Sequence, residues 1–532
     1  MAWSKKRTVL WGCGGYGLVS HNAKMNLPKK HIKETKKLLQ QIPPEEVGEW
    51  LLKDGYFPEQ YVVPPCFNVE TAALNAAPYY PRTAESPHFN PPHFELKKVS
   101  FPKTQLTDRT FGVFHPTINH DLIWYLKEDW QAIIDHLFQS ANKIYSYSFP
   151  IPLNSRNLGN VGSLRAGRMI YEFIEMAEND LVVEAHKYKY ILNTDIKNFY
   201  PSIYTHSIPW ALHGKTAARS DRNTFLQLGN KLDRLTQRGN DGCTNGLPIG
   251  PAISDLIAEI ILTGVDVDTS KILKQKGIEF LAVRFKDDYR ILCNSKTDAN
   301  TIIKIIQKTL AEYNLTLNEN KSNIKELPEG LFRLWTSEYS NFTLRYYKEK
   351  IYYKRFERTL LAVLKIDQEF PGTGVIDKFL SELTTKDYNL KLQLKSKEIL
   401  KTISLLLLLK EKRTKALPMI LAIIEVIYIK YGTTVKVKTQ IVDSIKDIFE
   451  IMITDQEKNL YELLWLSYFI KSHNLFTIVW PRRIKSKLLK SIKANSQQFF
   501  SHPDFKLYTT IKSHGRNELL LKHLAIFPKD DE

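Results

Sequence analysis

The stretch RFKDDYRIL, residues 284–292, sets two aspartates side by side between two apolar, aromatic-containing runs. That pattern predicts strand, tight turn, strand. Alone, a pair of aspartates is most often a solvated turn, because Asp is a favoured turn residue. The rest of the chain decides whether Asp287 and Asp288 are instead half of a metal-binding catalytic centre.

Their partner lies upstream. YILNTDIKNFY, residues 190–200, predicts an apolar strand ending at Asp195, followed by Phe199 and Tyr200. Nucleotidyl transfer uses two divalent ions roughly 3.5–4 Å apart. Hard Mg²⁺ asks for carboxylate oxygens at fixed positions, completed by substrate phosphates and water. One Asp at a strand end and two on a neighbouring hairpin supply such a set. Between them lies NGLPIGPAISDLIAEI, residues 245–260, a Gly/Pro loop feeding a helix with Ser254 in its first turns. After them comes LTLNENK, residues 315–321, ending in Lys321.

Composition favours the same direction. The 532 residues allow two to four domains, and 43% hydrophobic content marks a globular chain. A net charge of +18 points to a polyanionic partner, most often nucleic acid. Four cysteines (13, 66, 243 and 293) have no CxxC spacing, which argues against zinc and suits a reducing cytoplasm. The N-terminus lacks the apolar core of a signal peptide. The most apolar window, residues 416–432, is too short for a membrane span and carries Glu425, so it reads as a buried helix.

Helices are expected from His31 to Leu52, with Pro43 and Pro44 opening the second. Residues 56–105, rich in Pro, Phe and Tyr, predict an extended segment lying over a folded body. From 118 to 340 helical and strand patterns alternate, as in a mixed domain. A helix over 297–315 is expected to be capped by Thr297 or Asp298. Beyond 345 helices follow one another with basic runs between them, including six Lys/Arg from Arg482 to Lys493.

Taken together, these motifs resemble the reverse transcriptases, over roughly residues 105–345. The resemblance implies an α+β right-hand polymerase, fingers and palm, followed by an all-α C-terminal domain. The expected division is an extension over 1–104, fingers and palm over 105–345, and a thumb and helical, possibly repeat-built, region over 346–532. Asp195, Asp287 and Asp288 take the places of the catalytic aspartates, with Phe285 where a Tyr is usual. The implied metal set is Asp195, Ile196, Asp287 and Asp288, holding two Mg²⁺ that Mn²⁺ can replace. Lys321 resembles a proton donor to pyrophosphate. GLPIGP, with Gly246 and Pro248, resembles the family's nucleotide-side loop, although Asn245 stands where Gln is usual. GLFRLW, residues 330–335, falls where the primer-grip hairpin would be.

Finer wording narrows the family. Residues 194–215, 246–262 and 55–67 are similar to bacterial defence reverse transcriptases of the abortive-infection and unknown-group lineages. That implies a cytoplasmic anti-phage enzyme that polymerises dNTPs on an RNA template, such as a non-coding RNA, or without one, and that is a homo-oligomer. Its partners are RNA, the DNA product and dNTPs. Protein priming on a tyrosine occurs among such relatives, but the 26 tyrosines single out no primer.

Tyr200 occupies the position where the family places an aromatic ring beneath the incoming sugar, with no room for a 2′-hydroxyl. The competing reading is a core tyrosine at a strand end. Arg156, Arg165 and Arg168 precede the palm and suit a triphosphate, Arg165 and Arg168 best, since guanidinium binds phosphate through two bonds. They equally suit an ordinary surface. His186 and Lys187 are further options. Lys286, beside the aspartate pair, is expected to lower their pKa values and to meet the primer end.

Two other patterns compete. Gly12, Gly14 and Gly17 fit GxGxxG, but Pro28 and the lack of a second strand oppose a dinucleotide fold. Arg516 and His523 are similar to the Arg-x(4–6)-His motif of HEPN ribonucleases, although helices align residues seven apart regardless of function. The alternatives to a polymerase are an untemplated terminal transferase and a nucleic-acid-binding scaffold with a ribonuclease-like C-terminus.

Overall fold

The computed structural model describes residues 26–82, 89–103, 107–153, 166–347, 350–385, 387, 389–512 and 519–524, with side chains omitted for 166–173. The glycine pattern at 12–17, Arg156, Arg165 and Arg516 lie outside the described residues, as does the side chain of Arg168.

The N-terminal region contributes helices α1 (Leu27–Leu39) and α2 (Pro44–Lys53), each with Pro in its first turn. Proline suits that position because its missing N–H has no intrahelical partner there anyway. The segment that follows is irregular, as expected, but it is sunk into the protein more than laid over it. Tyr56, Phe57, Tyr61 and Phe67 are all buried. The Tyr56 hydroxyl donates to the Phe114 carbonyl at 2.7 Å. A hairpin absent from the sequence expectation follows, β1 (Lys97–Pro102) and β2 (Asp108–Val113).

Next come α3 (Pro116–Glu128), α4 (Trp130–Leu137), β3 (Ile144–Ser146) and α5 (Ala166–Glu184). Then follow β4 (Tyr190–Asp195), the short helices α6 (Phe199–Ser202), α7 (Ser207–His213) and α8 (Lys215–Ser220), and α9 (Leu228–Gly239). The region closes with α10 (Ala252–Gln275), β5 (Phe280–Phe285), β6 (Asp288–Cys293), α11 (Lys296–Glu312) and β7 (Asn323–Glu326). Helix α11 is capped by Ser295, whose hydroxyl accepts from the Asp298 N–H. That corrects the expected cap at Thr297 or Asp298: the helix starts earlier, and Asp298 answers the cap from its first turn.

One five-stranded sheet runs β3-β5-β6-β4-β7, antiparallel except for the β3–β5 pair. Its two faces follow from the period-2 alternation of strands. Leu192, Ala282, Tyr289 and Ile291 join the large core that includes α10 and α11. Ile191, Leu281, Val283 and Leu292 join a smaller core with Ala177 and Leu181 of α5. A one-residue slip in register would exchange these two sets.

The remaining elements are α12 (Leu334–Ser340), β8 (Ile351–Tyr352), α13 (Tyr353–Glu369), α14 (Val375–Glu382), β9 (Leu392–Gln393) and α15 (Ser396–Lys412). After them come α16 (Leu417–Tyr431), α17 (Val435–Met452), α18 (Leu460–His473), α19 (Lys487–Ala494) and α20 (Leu520–His523). Helix α16 is the buried apolar helix expected. Its Glu425 meets His473 at 2.9 Å and accepts the Leu520 N–H at 2.8 Å. On α19 and the turn before it, Leu488, Leu489 and Ile492 point inward while all six cations from Arg482 to Lys493 are exposed. The helical region grips the N-terminal segment: Tyr461 and Trp465 both donate to the Tyr61 carbonyl, at 2.8 and 3.1 Å. No helix among the described residues is long and apolar enough to cross a membrane.

Candidate active site

The hairpin expected from RFKDDYRIL is present. Phe285 pairs with Asp288, leaving Lys286 and Asp287 as the two turn residues. Lys286 has φ of 50°, a left-handed conformation rare for a non-glycine residue and suited to the first central position of a tight hairpin. The turn is fastened on each side. The Lys286 N–H donates to Ser148 Oγ at 3.0 Å, Arg284 Nη1 donates to the Lys286 carbonyl at 3.1 Å, and Ile196 N–H donates to the Asp287 carbonyl at 3.2 Å.

Asp195 ends β4 directly opposite Asp288 on β6. Three carboxylates therefore crowd one end of the sheet. Burial, then the charge of Asp195, raises the pKa of Asp287. Burial, then the charge of Asp287, then contact with Asp195, pushes Asp288 up to about 7. Asp288 is exposed but lines the cleft, where the surrounding protein atoms reduce its solvation. Lys321 Nζ lies 2.6 Å from Asp195 Oδ2, and the Asn318 amide nitrogen 3.4 Å from Oδ1. Burial works to lower the pKa of Lys321, but Asp195 outweighs it and holds the lysine above its usual range.

Among the described residues no three His, Cys, Asp or Glu side chains already converge as a complete metal cage. Mg²⁺ does not require one, since it usually binds through one or two carboxylates and takes its other oxygens from phosphates and water. The chemistry of the donors fits. Burial and then repulsion from neighbouring carboxylates raise Asp287 and Asp288, and a divalent cation among them would relieve that repulsion. Ile196 has an aliphatic, buried side chain, so only its carbonyl oxygen has ligand chemistry.

A cavity of about 550 Å³ opens on this end of the sheet, lined by Asp195, Asp288, Lys321, Arg290, Arg333 and Glu178 among others. Glu178 on α5 bridges Arg290 at 3.2 Å and Arg333 at 2.7 Å. Arg333 of the GLFRLW stretch thus stands at the cleft.

Of the nucleotide-side candidates, Phe199, Tyr200 and the loop with Gly246 and Pro248 lie together. Phe199 and Tyr200 lie in α6, entered through Asn198 with φ of 47°. The loop with Gly246 and Pro248 is zipped onto them: Leu247 N–H donates to the Tyr200 carbonyl at 2.9 Å, and Gly246 N–H to the Ile203 carbonyl at 2.8 Å. Asn245 is exposed, and its backbone bridges Tyr204. The loop's far end is wedged against the N-terminal segment. A Cβ on Gly250, whose φ is 124°, would come within 2.7 Å of Pro58.

One expectation fails and another holds only in part. His186 and Lys187 sit before the start of β4, so they are about 15–20 Å from Asp195 at strand rise. There Lys187 is paired with Glu184 instead of facing a triphosphate. Lys286 does act to lower Asp287, but burial and the charge of Asp195 outweigh it, and both aspartates are raised. The ammonium bonds Asp255, at 3.2 and 3.1 Å from the two carboxylate oxygens.

Sequence reasoning missed the layer beneath the hairpin. Arg284 is fully buried, doubly bonded to Glu259 at 2.8 and 3.1 Å and to Asp266 at 2.8 Å. Tyr289 donates to Asp266 at 2.9 Å, and Ser146 and Ser148 donate to Glu259. Burial would raise Glu259, but Arg284 overrides it; Asp266, where burial prevails, is pushed up to about 6. A signal was available. Asp255, Glu259 and Asp266 are the charged residues of the mostly apolar stretch 252–267 and are spaced four and seven apart, hence on one face.

Residues 131–350 match the family model described as "Reverse transcriptase (RNA-dependent DNA polymerase)".

This stretch is similar to the reverse transcriptases.

The fold is that of reverse-transcriptase fingers and palm followed by a helical region, and the paired aspartates lie inside the matched residues. No curated protein matches the chain. Among solved structures, it is similar to apo telomerase from Candida tropicalis truncated from the C-terminal domain, at 13% identity and TM-score 0.30, covering 49% of this chain and 53% of that one. It is also similar to telomerase from Candida albicans in complex with a TWJ fragment of telomeric RNA, at 14% identity and TM-score 0.27, covering 72% and 65%. A third is apo telomerase from Candida tropicalis, at 13% and 0.31, covering 70% and 68%. The chain spans about half the length of the first of these.

Proposed function

We propose that this protein is an RNA-directed DNA polymerase whose nucleotidyl transfer is centred on Asp195, Asp287 and Asp288. The observation that carries the proposal is the cross-strand placement of Asp195 against Asp288, with Asp287 in the adjoining turn, inside the stretch similar to the reverse transcriptases. The three aspartates and the Ile196 carbonyl would hold two Mg²⁺. When bound, the ions activate the attacking 3′-hydroxyl and neutralise charge on the transferring phosphate. Lys321 stands close enough to exchange Asp195 for a departing pyrophosphate and give it a proton. Tyr200 forms the floor beneath the incoming sugar and selects deoxynucleotides, and the Gly246–Pro248 loop walls the same side.

The similarity of residues 194–215, 246–262 and 55–67 to defence reverse transcriptases supports an anti-phage role in a bacterial cytoplasm. The decisive experiment supplies labelled dNTPs and Mg²⁺ with and without added RNA and sequences the product and any co-purified nucleic acid. Nuclease-defined DNA complementary to an RNA supports the proposal. DNA whose sequence ignores every RNA present makes the enzyme an untemplated transferase, and no DNA under any condition contradicts polymerase function. Phage protection lost in Asp288→Asn would tie the chemistry to defence.

A further inference from the structure

Tyr200, Asp255 and Lys286 come from three separate segments and meet in one buried chain of contacts. The Tyr200 hydroxyl donates to Asp255 Oδ1. Lys286 Nζ bonds both oxygens of the same carboxylate and lies 5.8 Å from the centroid of the Tyr200 ring. Tyr200 and Asp255 are 8% and 7% exposed, so neither group has bulk water as an alternative partner.

The supports of these residues differ in stiffness. Tyr200 sits on the four-residue helix α6, which by itself does little to fix a ring. Asp255 lies in the first turns of the 24-residue α10. Lys286 is held at its N–H, its carbonyl and its ammonium at once. The carboxylate thus ties a weakly supported ring to a long helix and to the turn that carries Asp287. Lys286 places its ammonium against both oxygens of the carboxylate that accepts the Tyr200 hydroxyl. Glu59 and Asp287 also face this ammonium, but Asp255 is the partner it bonds.

We propose that Asp255 and Lys286 are positioning residues that lock the Tyr200 ring in register with the catalytic turn and thereby set the discrimination between deoxy- and ribonucleotides. The proposal rests on the assignment of Tyr200 as the sugar floor. A ring free to tilt by a fraction of an ångström would admit a 2′-hydroxyl without losing the aspartates.

The test is the ratio of kcat/KM for dATP to that for ATP, which is insensitive to the fraction of enzyme that is active. It is measured for the full chain and for Tyr200→Phe, Asp255→Ala, Lys286→Met, the Tyr200→Phe/Asp255→Ala double variant and Tyr200→Ala. Each of the first three is expected to lower the ratio about tenfold, the scale of a small misplacement at a reacting centre. The double variant is expected to match the single ones, because both remove the same bond. If Tyr200→Ala collapses the ratio while Tyr200→Phe, Asp255→Ala and Lys286→Met leave it intact, the positioning claim is wrong and the sugar-floor assignment survives. If Tyr200→Ala leaves the ratio unchanged, that assignment is wrong and the proposal goes with it. Should Asp255→Ala not fold, Tyr200→Phe decides alone: an unchanged ratio overturns the proposal.

Discussion

Asp195 and Asp288 are cross-strand partners at one end of one sheet face, so their carboxylates share a single cleft floor. Like charges held together in this way are stable only when protonated, paired with a cation or bound to a metal ion.

A pH dependence follows. Asp288 titrates near 7 in the fold against 3.8 as an isolated side chain. Between those values the folded state binds more protons than the unfolded chain. The stability contributed by this group is therefore lost as pH rises through the window. A divalent cation removes that loss by favouring the ionised form. The Mg²⁺-induced rise in Tm, measured against EDTA, is expected to be larger at pH 8 than at pH 6. His31 and His115, both depressed to about 4 by burial, contribute equally with and without the ion and cancel in the difference.

Arg284 is expected to be the most sensitive residue of the palm outside the aspartates. Arg284→Met leaves Glu259 and Asp266 buried without a cation, at a cost of about 3–5 kcal/mol. Urea denaturation should show that loss. Arg284→Lys should recover little of it, since an ammonium cannot reproduce the bidentate contact to Glu259 together with the bond to Asp266.

Gly250→Ala should separate loop geometry from chemistry. The new methyl meets Pro58 at 2.7 Å in a backbone conformation that L residues rarely adopt. A loss of about 1–3 kcal/mol is expected. Because the loop is bonded to the segment carrying Tyr200, KM for dNTP should rise more than kcat falls. Steady-state kinetics beside thermal denaturation checks both.

Lys321→Met should lower kcat by about a hundredfold, the usual size of a lost general acid, with a smaller effect on KM. An unchanged kcat at saturating dNTP would reduce Lys321 to an ion-pair partner of Asp195.

The hairpin, the strand ending at Asp195 and the glycine–proline loop were legible because each depends on local spacing. Period-2 alternation marks β5 and β6, and two polar residues between them mark the turn. The long helix α10 was also legible. Its rotation against the sheet was not, and that rotation brings Glu259 and Asp266 to Arg284 and Asp255 to Lys286. Local spacing puts Lys286 beside Asp287 but does not show that its ammonium bonds Asp255, 31 residues earlier in the chain. The β1–β2 hairpin escaped notice because DRTFGV and KKVSFP lack clean alternation, and their aromatic residues find partners across the chain, in Tyr61 and Tyr461.

The most direct test of the central claim is the rate of dNTP incorporation by Asp195→Asn and Asp288→Asn, with folding followed in parallel by circular dichroism and Tm. Both changes remove a charge while keeping the side chain's shape. Incorporation is expected to fall by at least about a thousandfold, as on loss of a residue that holds the reacting centre, while Asp288→Asn keeps or slightly raises Tm because a repelled carboxylate is gone. Near-normal incorporation by a folded Asp288→Asn protein would contradict the assignment of this cleft as the polymerase centre.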